Sequence, residues 1–173
     1  MACFKKTIDE LLTLIATRPE LFSLVNGENL QNSSWLFNRK VQTSFIQKLP
    51  FGVSHVQQYL PLLPFAIEQL DLEDYPLVIS SSHLVAKGIL TSPDQLHISY
   101  VHTPMRYGWD QMNIYLKRSF LSRIGLGPLI RWQLHALRQW DQLSSSRIDY
   151  LLANSNFTAK RIWKYWRRQS KVL

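Results

Sequence analysis

Leu77-Val78-Ile79-Ser80-Ser81-Ser82-His83 is the clearest strand signal in the chain. Three apolar, β-rich residues run without alternation into three serines and a histidine. A run this short and continuous predicts a strand buried on both faces, as in a parallel sheet, with a polar carboxyl end. Working outward, the same grammar recurs twice. His97-Ile98-Ser99-Tyr100-Val101 leads straight into His102-Thr103-Pro104, and Asp149-Tyr150-Leu151-Leu152-Ala153 leads into Asn154-Ser155, good N-cap residues for a basic helix from Phe157 to Arg168. A long helical pattern, Leu129 to Leu143, lies between the second and third of these strands. Strands alternating with helices predict an α/β fold, a Rossmann-like parallel sheet with right-handed crossovers.

Toward the amino terminus the pattern is weaker. Ile8, Leu11, Leu12 and Ile15 make an amphipathic stripe over Lys5 to Ala16, stopped by Pro19. Leu21 to Val25 predicts a short strand closed at Asn26-Gly27, and Val41 to Ile46 a second one. Ser54 and Gln57 have capping-box spacing for a helix to Leu70, which Pro61 and Pro64 must bend. The chain has no repeat and no low-complexity segment, so it reads as one domain over residues 1–173.

Composition narrows the function classes. With 46% hydrophobic and 18% charged residues, the chain can bury a core. One cysteine, Cys3, excludes an internal disulfide framework and a cysteine-based zinc site. The five histidines (55, 83, 97, 102 and 135) lack paired metal-ligand spacing, so no metal site emerges. Lys5, Lys6, Asp9 and Glu10 break any leader-like apolar run, and the most apolar stretch, Tyr59 to Ile67, is too short to span a bilayer. A cytoplasmic protein is expected. Charge is strongly divided: residues 1–86 carry 6 basic and 8 acidic groups, whereas residues 87–173 carry 14 and 4. Such a basic half attracts phosphate-bearing partners.

In a parallel α/β sheet, ligands bind beyond the carboxyl ends of the strands. The groups at that address are Ser81, Ser82 and His83, then His102, Arg106 and Tyr107, then Asn154 and Ser155. A histidine there can bond a hydroxyl, and an arginine can clamp a phosphate or carboxylate. The structural alternative is that His102 caps its strand and Arg106 pairs with Asp110, while the serines cap helices. No G-x-S-x-G elbow or orienting acid supports a nucleophilic triad, and Gly125-Leu126-Gly127 reads as a turn, not as a phosphate loop. On the last helix, Lys160, Arg161, Lys164, Arg167 and Arg168 interleave with Ile162, Trp163, Tyr165 and Trp166. The expectation is that Ala159, Ile162, Trp163 and Trp166 pack on the sheet and leave the five cations as a basic surface. The competing readings are a nucleic-acid face and a membrane-surface face.

Several motifs in fixed order carry a resemblance. They are Thr43-Ser44-Phe45-Ile46-Gln47-Lys48-Leu49-Pro50, Tyr59-Leu60-Pro61-Leu62-Leu63-Pro64, the Leu77 to His83 run, His102-Thr103-Pro104-Met105-Arg106-Tyr107, Trp109-Asp110, Arg138-Gln139-Trp140-Asp141, Ala153-Asn154-Ser155 and Ala159-Lys160-Arg161-Ile162. Over about Glu20 to Leu173 the chain resembles family 4 glycosyltransferases of the GT-B fold, especially bacterial mannosyltransferase-like members. The resemblance implies the N-terminal, acceptor-side lobe of a two-lobed retaining hexosyltransferase, working on a lipid-linked or polysaccharide acceptor. It implies that His102 faces the transferred sugar or acceptor hydroxyl, that Arg106 and Tyr107 lie near it, and that Ser81, Ser82, His83 and Lys87 line another acceptor edge.

Relative to that family, the usual first strand with its glycine-rich loop is missing before Met1-Ala2-Cys3-Phe4. Ser170-Lys171-Val172-Leu173 looks like the opening of the strand that leads to the second lobe. The nucleotide-sugar donor would be held by that C-terminal lobe, supplied in cis or in trans, and this chain would hold no cofactor itself. The expectation is therefore a lobe truncated at both ends and inactive alone. A peripheral position at the inner membrane face would suit an anionic membrane surface as partner, and nucleic acid is not the expected one. The other functional class is a non-catalytic basic module that binds a membrane surface or nucleic acid.

Overall fold

A computed structural model describes residues 19–27, 41–118 and 125–173. The stripe Lys5 to Ala16 lies outside the described residues. The chain divides into two units, one ending at Tyr59 and one beginning at Leu60.

In the first unit, β1 (Leu21–Ser23) pairs in parallel with β2 (Val41–Thr43), Leu21 opposite Val41. The second strand is shorter than its sequence predicts, because Ser44 ends it. The Ser44 side chain accepts from the backbone of Ile46 and caps a 3-10 turn, Phe45–Lys48, while its hydroxyl donates to Leu24 O at 2.7 Å. Gln47 then clamps Asn26, accepting from its N–H at 2.7 Å and donating to its carbonyl at 3.2 Å. The expected capping box does not form: Ser54 Oγ lies on Phe51 O and His55 Nδ1. In place of one bent helix, a 3-10 stretch Val56–Leu62 precedes a separate helix, α1 (Leu63–Glu68), which belongs to the second unit. Pro64 sits in its first turn, where a missing N–H costs nothing.

The second unit is an α/β layer. Its sheet has the order β3-β4-β5-β6, all parallel, from β3 (Leu77–Ser82), β4 (Leu96–Val101), β5 (Tyr150–Ala153) and β6 (Lys171–Val172). Ser80 stands opposite Ser99, and Val101 opposite Ala153. Three helices follow in chain order: α2 (Met112–Arg118) and α3 (Gly127–Ser146) between β4 and β5, then α4 (Asn156–Trp166) between β5 and β6. Each step moves one strand in the same direction, so right-handed crossovers place α3 and α4 on the same face of the sheet. Gly125, with φ +89°, turns the chain just before α3.

The core between sheet and helices joins Val101, Ile148, Leu151, Ala153, Ile162 and Trp166. β3 is not buried on both faces as its apolar run suggests. Val78, Ser80 and Ser82 are buried, whereas Ile79 and Ser81 are half-buried. The buried face of β3 and β4 is unusually polar. Ser80 Oγ donates to Ser99 Oγ at 2.9 Å and lies 2.9 Å from His97 Nε2, and His97 Nδ1 has no hydrogen-bond partner among the described residues.

Candidate functional site

Three strand ends build the candidate site. β3 ends at Ser82 and β4 at Val101 in register, so Ser81 and His102 emerge side by side. Their side chains meet, with Ser81 Oγ 2.9 Å from His102 Nε2. The backbone holds the histidine firmly: His102 N donates to Ser82 O at 2.8 Å, and Thr158 Oγ1 donates to His102 O at 3.1 Å. The ring packs edge-on against Tyr100, centroids 5.1 Å apart. Burial lowers the His102 pKa and the nearby His83 lowers it further, so the imidazole is neutral at neutral pH. A neutral imidazole has one nitrogen that donates and one that accepts, the chemistry needed to hold a hydroxyl.

At the third strand end, Ser155 does what its sequence position predicts. It N-caps α4, accepting from Thr158 N at 3.2 Å. Asn154 beside it is exposed, and so are His83 and Arg106. Tyr107 is half-buried, its ring 5.7 Å from that of Tyr115, and burial raises its phenol well above the ordinary range. It stays protonated at neutral pH. Asp110 is not Arg106's hydrogen-bonded partner, because Arg161 holds it through both guanidinium nitrogens.

Four sequence-predicted residues stand elsewhere. Ser82 is buried and accepts from the backbone of Lys87. Lys87 does not line an acceptor edge: it is 1% exposed and ion-paired with Asp141, Nζ to Oδ1 3.2 Å. Arg161 leaves the predicted basic surface, since it lies between the rings of Phe157 and Tyr165 and reaches back to Asp110 and Pro104 O. Arg168 is half-buried and binds the last carbonyls of α3, at Ser145 (2.9 Å) and Ser146 (3.2 Å), together with Ile148 O (2.7 Å). Those carbonyls would otherwise lack partners. Lys160, Lys164 and Arg167 are the exposed cations of the predicted five.

Asp141 is what sequence reasoning missed. Its Oδ2 accepts from Trp109 Nε1 at 2.8 Å and from Trp166 Nε1 at 2.7 Å, while Oδ1 faces Lys87. Lys87 also donates to Asp141 O at 2.8 Å and to Ser144 Oγ, and its ammonium lies over the rings of Trp140 and Trp166. Burial lowers the Lys87 pKa and the Asp141 carboxylate opposes that. One carboxylate thus fastens the turn after β3, the loop carrying Arg106 and Tyr107, and α4 onto α3. A signal for it existed: Asp141 falls on the buried stripe Ile130, Leu134, Leu137, Asp141, Ser144, where an unpaired acid is not tolerated. Gly88 belongs to the same packing, since a Cβ there would lie 2.2 Å from the Trp140 ring.

Among the described residues no three His, Cys, Asp or Glu side chains form a group that could hold a metal, and no helix is long and apolar enough to cross a membrane. Comparison of the chain with protein-family models, curated proteins and solved structures finds no match.

Proposed function

We propose that the carboxyl ends of β3, β4 and β5 form the acceptor-side face of a sugar-transferring lobe of the family 4 glycosyltransferase type. The observation that supports this reading best is the Ser81–His102 pair, 2.9 Å apart on adjacent strand ends, with the histidine kept neutral by burial. Around it stand exposed His83, Arg106 and Asn154, groups able to bind hydroxyls and a phosphate. In the proposed reaction the anomeric carbon–oxygen bond of a nucleotide-sugar breaks, a bond to the acceptor hydroxyl oxygen forms, and that hydroxyl's proton passes to the nucleoside diphosphate as it leaves. His102 orients the acceptor or sugar hydroxyl, and Arg106 faces a phosphate on a lipid-linked acceptor. A separate donor-binding lobe stabilises the leaving diphosphate, the largest electrostatic demand of the step. The setting proposed is the cytoplasm, at the inner membrane face.

The test uses the purified chain with a panel of UDP-, GDP- and ADP-linked hexoses, alone and combined with a family 4 donor-binding lobe. No transfer is expected alone and transfer is expected in combination. His102→Ala should lower kcat of the combination on the order of a hundredfold. Turnover by the chain alone, absence of transfer in every combination, or an unchanged kcat in His102→Ala would each reject the proposal.

A further inference from the structure

α3 has two faces, and both carry apolar residues. The inner one packs on the sheet through Ile130, Leu134 and Leu137. The outer one presents Leu129, Trp132 and Leu143, which are 49%, 67% and 68% exposed. At 100° per residue these three fall within one narrow stripe, on the side turned away from Leu134. α4, its neighbour on the same face of the sheet, presents Phe157 and Trp163 at 64% and 51% exposure. The sequence predicts Trp163 against the sheet; the structure packs Ile162 and Trp166 there and leaves Trp163 outside. Beside these rings stand the exposed cations Lys160, Lys164 and Arg167. Neither helix sets an exposed carboxylate beside them: α4 contains none, and the single acid of α3, Asp141, is buried under Trp166.

We infer that the outer faces of α3 and α4 together dock on an anionic membrane surface. The combination matches the requirements of an interfacial layer: tryptophan, phenylalanine and leucine enter the headgroup region while lysine and arginine meet lipid phosphates. A second copy of the chain fits poorly, because a two-fold contact would gather Lys160, Lys164 and Arg167 of both copies into one interface to which neither α3 nor α4 brings an exposed acid. A nucleic acid would use the cations and rings of α4 but leave the aliphatic stripe of α3 without a role. The inference is independent of sugar transfer, since it needs neither His102 nor an acceptor.

Vesicle co-sedimentation of the full chain tests it, with phosphatidylcholine alone and with phosphatidylcholine containing one quarter phosphatidylglycerol, at ~0.1 M and ~1 M salt. Binding is expected to the anionic vesicles and should weaken in high salt. Lys160→Gln/Lys164→Gln/Arg167→Gln should weaken it roughly a hundredfold. Trp132→Ser and Trp163→Ser should each weaken it about tenfold, through lost apolar insertion. All of these positions are exposed, and an unchanged melting curve confirms that each variant folds. If one does not fold, Leu129→Ser and Phe157→Ser take its place. Three results overturn the inference: no binding to anionic vesicles, binding that these substitutions leave unchanged, or tighter binding to an oligonucleotide or to a second copy of the chain that the same substitutions abolish.

Discussion

Asp141→Ala is expected to remove most of the stability of the second unit. The magnitude follows from what the carboxylate holds. Lys87 and Asp141 are each 1% exposed, and deleting one partner of a buried ion pair costs about 3–5 kcal/mol, because the other charge stays buried. The same deletion orphans the indole N–H groups of Trp109 and Trp166, at about 1–3 kcal/mol each. These costs overlap, because the structure relaxes once for all of them, so a loss of at least ~5 kcal/mol is expected against a typical total of about 5–15. Urea unfolding followed by tryptophan fluorescence reads it directly, since two of the affected side chains are indoles. Lys87→Met should cost less, because the carboxylate keeps both indole bonds. Lys87→Met/Asp141→Asn should recover more than half of the Asp141→Ala loss, because it leaves no buried charge and keeps an acceptor for an indole. An Asp141→Ala midpoint within ~1 kcal/mol of the parent, or a double variant less stable than Asp141→Ala, would refute the reasoning.

His97 makes stability depend on pH. Burial lowers its pKa from 6.5 to about 4, with the Asp149 carboxylate partly opposing, so the unfolded chain binds the proton first as pH falls. Its contribution is fully present above about pH 6.5 and is lost as pH falls toward 4, on the order of 3 kcal/mol in all. His97→Gln should flatten the stability curve over that interval, and a curve as steep as the parent's would remove His97 as the cause. Ser155→Ala deletes the cap of α4 and should cost ~1 kcal/mol, a Tm fall of about 2–4 °C by calorimetry. No change in Tm would mean that another group satisfies the Thr158 N–H.

The sheet and its carboxyl-end address were legible because they rest on local signals. Leu77 to Ile79, Ile98 to Val101 and Tyr150 to Ala153 are mostly apolar where strands must be, and Ser155 is the residue type a helix start selects. The contact between Ser81 and His102 was not legible: the sequence puts the two on different acceptor edges, and only the parallel register of β3 and β4 brings them together. What failed was decided by tertiary partners. Ser44 competes with strand geometry through its own hydroxyl, so β2 stops early. On α4, the sequence expects both Trp163 and Trp166 against the sheet, and Trp163 is instead exposed. Only the aspartate one helix away, bonded to the Trp166 indole, settles which one turns inward. Arg161 and Lys87 look like surface cations for the same reason: their carboxylates, Asp110 and Asp141, are 51 and 54 residues distant in sequence.

The net charge of the basic half overstates the charge it exposes. Its +10 counts every cation equally, yet the structure employs several of them internally. Lys87 is neutralised by Asp141 and Arg161 by Asp110, while Arg168 is spent on the carbonyl end of α3, where a positive charge also meets the favourable end of the helix dipole. Two separate roles then emerge from one composition. Cations that find a carbonyl or carboxylate fix helix α4 and the loop bearing Arg106 to the body of the sheet, and so hold the strand-end groups in place. Lys160, Lys164 and Arg167 project from α4 beside exposed aromatic rings, and neither α3 nor α4 sets an exposed acid there. A surface built only to keep a domain soluble would intersperse both signs of charge and spare its tryptophans. Among the described residues the outer faces of α3 and α4 do neither, and that joint apolar and cationic pattern is the ground on which membrane docking is inferred.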